Sequence, residues 1–405
     1  VKDLILLGGN ELNRGVVEKS RQLGAGRVIV FDWNAEPVIK GDIHVKVDVK
    51  DTATILKHID MLEVKEIIYA YTSIDLAVKT QTAIHKKFGL MYPNDDAVDN
   101  TMEKGKMTEI WNKNGLLNRV SSIVIEEQDA FNKCKGITCI IKPNISSGSR
   151  GITILSANSN QRDISKAFNL AKEFSFDKKV VAEQFIEGTE YTVEMLGDSY
   201  GNVSVWGISK KYHTEYNKHN RIAVKLHYNS ADVSNELTRR ISEHAIKCYK
   251  ALGLTNSFGH LEVIVTNEGI ISPLEMGARS SGFISSDLLD VINYESYLGE
   301  YSKVLYGGTT YNGYTVKKEV SSMYYFYDIP PRKSISECNL LEFAEKGIYS
   351  IFFDRSNLVS SRQFNVVNGD HERFGFEILA GPKDILTIKN VKTAEENFLQ
   401  RFMEG

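Results

Sequence analysis

Cysteine is scarce: Cys134, Cys139, Cys248 and Cys338 are scattered through 405 residues with no C-x-x-C spacing. That pattern excludes a disulfide framework and a structural zinc site, and leads us to expect reduced thiols in a cytoplasmic protein. An excess of positive charge is missing too, since 49 Lys and Arg face 52 Asp and Glu for a net charge of −3. Nucleic acid is therefore not an expected partner. The N-terminal apolar run, VKDLILLGGNELNRG, is too short to span a bilayer and is followed by glycines in place of a cleavage site, so it is expected to be a buried strand with no membrane role. Repeats and low-complexity segments are absent. With 42% hydrophobic and 25% charged residues, the chain has the composition of a folded enzyme. Its 405 residues exceed one ordinary core, because single cores stop growing at roughly 250–300 residues.

Residues 1–96 alternate aliphatic runs with polar helical stretches: LILLGG, a helix from Val16 to Leu23, RVIVFD, a helix around Ile55 to Leu62, then EIIYAY. This rhythm predicts a βαβαβ unit on a parallel sheet. Gly8-Gly9-Asn10 and Asp32 sit where a dinucleotide fingerprint would place its glycines and ribose ligand, but G-x-G-x-x-G is not satisfied. The next 200 or so residues read as an α+β region. Within it, Leu237, Ile241, Ala245, Cys248, Tyr249 and Leu252 form one buried helical face. Beyond Gly307-Gly308, the runs SSMYYFYDI, YSIFFD and FGFEILAG predict a closing β-rich part.

Three stretches carry candidate chemistry. Cys139-Ile140-Ile141-Lys142-Pro143 runs through a Ser/Gly loop, Ser146-Ser147-Gly148-Ser149, into Ile152-Thr153-Ile154-Leu155. Small residues let backbone N–H groups approach an anion and Lys142 adds a point charge, so this strand–loop–strand is a phosphate flap or, equally, a plain hairpin with a surface lysine. No G-K-[ST] follows the glycines, so it is not a Walker loop. Val180 to Glu194 is the second stretch. There the backbone of Gln184-Phe185-Ile186 could meet an adenine edge and Glu190 a ribose, against the alternative of an exposed hairpin. In the third, strands 261–266 and 270–275 flank Asn267-Glu268-Gly269. A two-residue loop of Glu268 and Gly269 would put Glu262 opposite Glu275, where like charges repel unless a cation such as Mg²⁺ lies between them. Arg279, four residues on, could hold a carboxylate or a moving phosphoryl group, or be a surface arginine.

In this order and spacing, the stretches resemble the ATP-grasp superfamily over nearly the whole chain. The resemblance implies an α/β and α+β protein with a preATP-grasp Rossmann-like domain (1–96), an ATP-grasp domain (97–306) and a C-terminal β-rich subdomain (307–405). Met102-Glu103-Lys104-Gly105-Lys106-Met107 with Asn114-Gly115-Leu116 resembles the family's "D-K-x-x-M … G-I-P" helix, which implies that Lys104 contacts phosphate. Glu103 replaces the usual aspartate, and Asn118 lies near the expected proline. Lys142 matches the second phosphate lysine, Glu183 to Ile186 the adenine hinge and Glu190 the ribose carboxylate. Lys211, ahead of Lys210, matches a third phosphate lysine. Glu262 and Glu275 match the carboxylates for Mg²⁺ or Mn²⁺, while Gly277 stands where the family has a metal-binding asparagine.

The implied activity is ligation: MgATP phosphorylates a carboxylate, with Lys142, Lys211 and Arg279 neutralising charge, and an amine displaces phosphate. Small-molecule carboxylate and amine substrates are the implied partners, with room for a homodimer. A carboxylase or phosphotransferase of the same superfamily, or a nucleotide-binding regulator without turnover, are the alternatives.

Overall fold

The computed structural model describes residues 2–146, 150–213, 223–282, 285–314, 316–326, 349–353 and 376–393. Its first sheet is parallel, in the order β3-β2-β1-β4, from β1 (Lys2–Leu7), β2 (Ala25–Asp32), β3 (Ile43–Lys46) and β4 (Ile67–Thr72). Helices α1 (Arg14–Gln22), α2 (Thr52–Met61) and α3 (Val78–Lys87) accompany it. Leu4–Leu7 and Val28–Phe31 are wholly buried, as continuous aliphatic runs are when both faces of a parallel sheet are covered. The edge strand β3 was not foreseen. Its four residues, IHVK, end in an exposed lysine and give no aliphatic run.

The glycine turn after β1 is closed by the protein itself. Asp32 accepts from the Gly9 N–H at 2.7 Å and from the Asn34 N–H at 2.7 Å. A Cβ on Gly9 would lie 2.4 Å from the Ile39 carbonyl. Asp32 is thus a turn ligand, and the broken fingerprint is filled by backbone where a pyrophosphate would need space.

Helices α4 (Asp95–Met102) and α5 (Lys104–Lys113) lead into a second, antiparallel sheet, ordered β5-β8-β6-β7. Its strands are β5 (Ser121–Val124), β6 (Cys139–Pro143), β7 (Thr153–Leu155) and β8 (Val180–Gln184), packed on α6 (Glu127–Cys134) and α7 (Gln161–Phe174). A capping box between Asn160 and Asp163 starts α7, satisfying N–H groups that a helix end otherwise leaves open.

The third sheet holds β9 (Thr189–Gly197), β10 (Val203–His213), β11 (Ala223–Tyr228), β12 (Phe258–Val265), β13 (Ile271–Gly277), β14 (Gly313–Tyr314), β15 (Val320–Phe326), β16 (Tyr349–Phe353) and β17 (Phe376–Pro382). Its order is β13-β12-β9-β10-β11-β15-β17-β16, with β14 beside β10. The three C-terminal aromatic runs do form strands, and they extend this same sheet through the β11–β15 pairing. Helices α8 (Asn235–Ala251), α9 (Ser285–Ile292) and α10 (Tyr297–Leu305) cover it. α8 buries Ile241, Ala245, Cys248 and Tyr249, the face expected from its spacing. No described helix is long and apolar enough to cross a membrane.

The β12–β13 hairpin pairs Glu262 with Glu275 as expected, by a different route. Thr266 donates its N–H to the Ile270 carbonyl at 2.9 Å, and Gly269, at φ +78°, donates to Thr266 at 2.9 Å. The loop therefore has three residues, 267–269, where two were expected. Pairing then runs Val265–Ile271, Ile264–Ser272 and Val263–Pro273, skips Leu274, and resumes at Glu262–Glu275. The left-handed glycine selects the longer loop. Pro273, lacking an N–H on an edge strand, is where the ladder gives way to a bulge. The two one-residue displacements cancel.

Candidate active site

Lys142, near the end of β6, does not lie on the surface: its ammonium is 2.8 Å from Glu183 on β8, and both side chains are nearly inaccessible. Arg119 approaches the same carboxylate at 3.3 Å, and the Ser121 hydroxyl donates to it at 3.2 Å. Burial opposes ionisation of Glu183, yet Lys142 and Arg119 hold its carboxyl down at about 2. Burial lowers the Lys142 ammonium from its ordinary value, with the Glu183 charge only partly opposing this. The Arg119 guanidinium also donates to Ser272 Oγ at 3.1 Å, to the Pro273 carbonyl, and to Leu274 at 3.5 Å. One side chain therefore joins the second sheet to the bulge of the third.

Beyond the bulge, a chain of ionisable side chains crosses the third sheet. His213 lies 3.0 Å from Glu190, whose other oxygen holds Lys211, and Lys211 reaches Glu262 at 3.0 Å. His260 stands 3.7 Å from Glu262 and 2.7 Å from the fully buried Glu194. Burial disfavours a charged His260, but Glu194 and Glu262 raise it to about 9. Burial also works against the Glu262 carboxylate, while Lys211 and His260 keep it well below the usual range. Lys211 is thus the lysine of the pair that points into this cluster, whereas Lys210 lies over the Tyr212 ring at 5.2 Å. Opposite Glu262, Glu275 is 3.3 Å from Lys104 at the start of α5. The backbone N–H of Lys104 donates to the Asn144 carbonyl at 3.1 Å and that of Gly105 to the Asn144 side chain at 2.8 Å, so the end of β6 fixes where this helix begins.

Arg279 spends its fork within the protein. Its Nε and Nη2 each donate to the Asp75 carboxylate at 2.7 Å, and Nη1 donates to the Ser280 carbonyl at 2.9 Å. Asp75 follows β4 of the first sheet, and Tyr71 of that strand contacts the Ser280 hydroxyl. A narrow cleft lined by Asp75, Lys104, Ser146 and Glu275 opens where the three sheets meet. A roomier cavity of about 670 Å³, lined by Thr238, Arg239, Tyr314, Lys318 and Lys383, contains none of these groups. Asp75, Lys104 and Glu275 bring two of the ion pairs to this cleft, which makes it the candidate site.

At the adenine stretch, Gln184 and Phe185 already donate their N–H groups, to Val120 at 2.9 Å and Thr138 at 3.0 Å. The backbone of half-buried Ile186 has no partner among the described residues. Ser147, Gly148, Ser149 and His219 lie outside the described residues. His227 is buried against Ser321 at 3.3 Å, away from the cleft. Among the described residues no group of three or more His, Cys, Asp or Glu is placed to hold a metal. Glu262 and Glu275 offer two carboxylates, which suit a hard cation only if phosphate oxygens complete its shell. Asp75, Arg119 and Asn144 were not singled out from sequence. Asp75 alone had a signal, since ligands of open α/β sheets bind beyond the carboxyl ends of strands.

Residues 135–287 match the model of the ATP-grasp domain. The chain is 24% identical to the formate-dependent phosphoribosylglycinamide formyltransferase of Methanocaldococcus jannaschii, over 73% of this chain and 74% of that protein. It is 30% identical to the D-alanine–D-alanine ligase of Nitrosospira multiformis, but over 44% of this chain and 56% of that protein. The crystal structure of an L-amino acid ligase from Bacillus licheniformis superimposes with a TM-score of 0.78 at 16% identity, covering 99% of this chain and 97% of that one, and so shares its fold.

Proposed function

We propose, from the match of residues 135–287 to the ATP-grasp domain model, that the chain is an ATP-dependent carboxylate–amine ligase that releases ADP and phosphate. The observation that carries the reading is the paired charge at the start of α5 and on the second and third sheets: Lys104 with Glu275, Lys142 with Glu183, Lys211 with Glu190 and Glu262. Every lysine expected to meet phosphate is held ready by a carboxylate of its own. Phosphate oxygens can take over the ammonium groups, and the released Glu262 and Glu275 are then free for a cation.

In this reading ATP lies between the second and third sheets, with the Ile186 backbone at the adenine edge and Glu190 at the ribose. Mg²⁺ or Mn²⁺, on Glu262 and Glu275, would supply charge neutralisation for the phosphate oxygens. A substrate carboxylate oxygen attacks the γ-phosphorus, the bond to the β–γ bridging oxygen breaks, and ADP leaves. Lys142, Lys211 and Arg279 offset the developing negative charge, and positioning contributes much of the remainder. An amine nitrogen then attacks the acyl carbon, the carbon–oxygen bond to phosphate breaks, and the amine proton is lost to water. Gly277 leaves one metal ligand fewer than the family pattern has, which the two carboxylates and phosphate must make good. The domain limits at residues 96 and 306, a cytoplasmic location and a homodimer belong to the same reading.

Substrate labelled with ¹⁸O in its carboxyl group tests it, because the oxygen that bridges carbon and phosphorus departs with phosphate. Labelled phosphate is the expected result. Unlabelled phosphate during amine-dependent turnover would refute the acyl-phosphate route.

A further inference from the structure

Helix α5, which carries Lys104 in its first turn, begins without a cap of its own. Glu103 stands at the N-cap position and its side chain makes no bond to the helix, yet the N–H groups of a buried first turn need acceptors. Asn144, wholly inaccessible to solvent, supplies two of them from 39 residues beyond Gly105. Its carbonyl takes the Lys104 N–H at 3.1 Å, and its side-chain oxygen takes the Gly105 N–H at 2.8 Å. Gly105 keeps this approach open, since a Cβ there would collide with Ile123 and lie 3.2 Å from Asn144 Oδ1.

The other end of the same amide is fixed as well. Asn144 Nδ2 donates to the Asp177 carboxylate at 2.7 Å and the Asn144 N–H to the Lys179 carbonyl at 3.1 Å. Asp177 is held in turn by the Ser175 hydroxyl at 2.8 Å and the Lys179 N–H at 3.2 Å. A backbone N–H can only donate and an ionised carboxylate can only accept, so one orientation of the amide serves both partners. Aspartate in its place would face Asp177 with no proton between them, and alanine would leave the Gly105 N–H open. Asn144 follows Lys142 by two residues, so its bonds draw the start of α5 against the end of β6 and bring two ammonium groups together. Burial lowers the Lys142 ammonium, and the Lys104 charge lowers it further. Glu275 holds Lys104 and Glu183 holds Lys142, so neither carboxylate joins the two lysines, whereas Asn144 ties their backbones directly.

We infer that Asn144 is a positioning residue that sets where Lys104 stands beside Lys142, and so shapes a two-ammonium site for the phosphate oxygens of ATP. It does so without meeting the nucleotide, because its N–H, carbonyl, Oδ1 and Nδ2 are all engaged within the protein. The inference rests on the ligase reading, in which both lysines contact phosphate.

Calorimetric titration of the full chain with ATP in the presence of Mg²⁺ tests it. Asn144→Ala should weaken ATP binding by about 10-fold, the scale of a lost helix cap. In a Lys104→Met background the same change should cost less than about 2-fold, because no ammonium remains to be placed. A merely structural lesion would weaken binding equally in both backgrounds. Asn144→Asp alone sets two carboxylates face to face and should weaken binding at least as much as alanine. Combined with Asp177→Asn, it remakes each hydrogen bond of the pair with donor and acceptor exchanged, and affinity should return to within about 3-fold of wild type. Equal losses in the two backgrounds overturn the inference. So does a paired exchange that fails to fold or binds ATP no better than Asn144→Asp alone. If Asn144→Ala does not fold, the exchange decides. An ATP affinity unchanged by Lys104→Met removes that lysine from the phosphate site and this inference with it, a result distinct from equal losses.

Discussion

Replacing Glu183 with glutamine should cost the protein its stability before it costs it nucleotide affinity. Glutamine keeps the shape and the bond from Ser121, but leaves the Lys142 and Arg119 charges, 2.8 and 3.3 Å away, without their shared counter-charge. Removing one member of a buried ion pair costs about 3–5 kcal/mol. The carboxyl's displacement from 4.5 to about 2 corresponds independently to about 3 kcal/mol. Because the folded value is depressed, this contribution is complete above about pH 4.5 and disappears as the pH falls toward 2. Denaturant titration followed through the buried Trp111 and Trp206 should therefore show a wide gap between wild type and Glu183→Gln at neutral pH that narrows on acidification. Lys142→Ala supplies the contrast, since Glu183 keeps Arg119 and the loss should stay under about 2 kcal/mol. If Glu183→Gln lies within about 1 kcal/mol of wild type while its KM for ATP climbs, the carboxylate serves the nucleotide and the burial argument is wrong.

Glu262→Gln and Glu275→Gln should each lower ATP turnover by about 100-fold or more with circular dichroism unchanged. Near-wild-type phosphate release by both would sink the metal assignment. Lys142→Ala should weaken ATP binding in calorimetry, and an unchanged affinity would remove that lysine from the phosphate site. Gly277→Asn, which introduces the residue the ATP-grasp resemblance would place there, should reduce activity, because even its Cβ would crowd Asp75 at 2.9 Å. Higher turnover by this variant would show that the missing ligand matters more than the contact.

The parallel sheet was legible because burial on both faces writes uninterrupted aliphatic runs such as Leu4–Leu7 into the sequence. Strand β3 left no such trace. Local pattern also brought out Lys142, Glu190, Glu262 and Glu275, and the resemblance added Lys104 and Lys211; the structure pairs each of these lysines with a carboxylate. It could not reveal partners. Arg279 is 204 residues from Asp75 and Arg119 is 64 from Glu183, and nothing near positions 75 or 119 announces a distant counter-charge. Glu183 entered through the resemblance, as part of the adenine hinge, and VVAEQF does not show which way its one acidic side chain turns. The hairpin is the instructive case, since a count that assumed the wrong loop still reached the right pair.

A three-residue tip with a bulge and a two-residue tip without one place the same number of residues between Glu262 and Glu275. Sequence length between the carboxylates therefore cannot distinguish the two hairpins, but two individual residues can. Gly269 makes the longer tip affordable and Pro273 marks the skipped pairing. A lineage that lost the glycine would be driven toward the shorter tip, and an unbroken ladder has no place for the proline. Among related chains, positions 269 and 273 should accordingly change together or not at all, although their side chains have no chemistry in common.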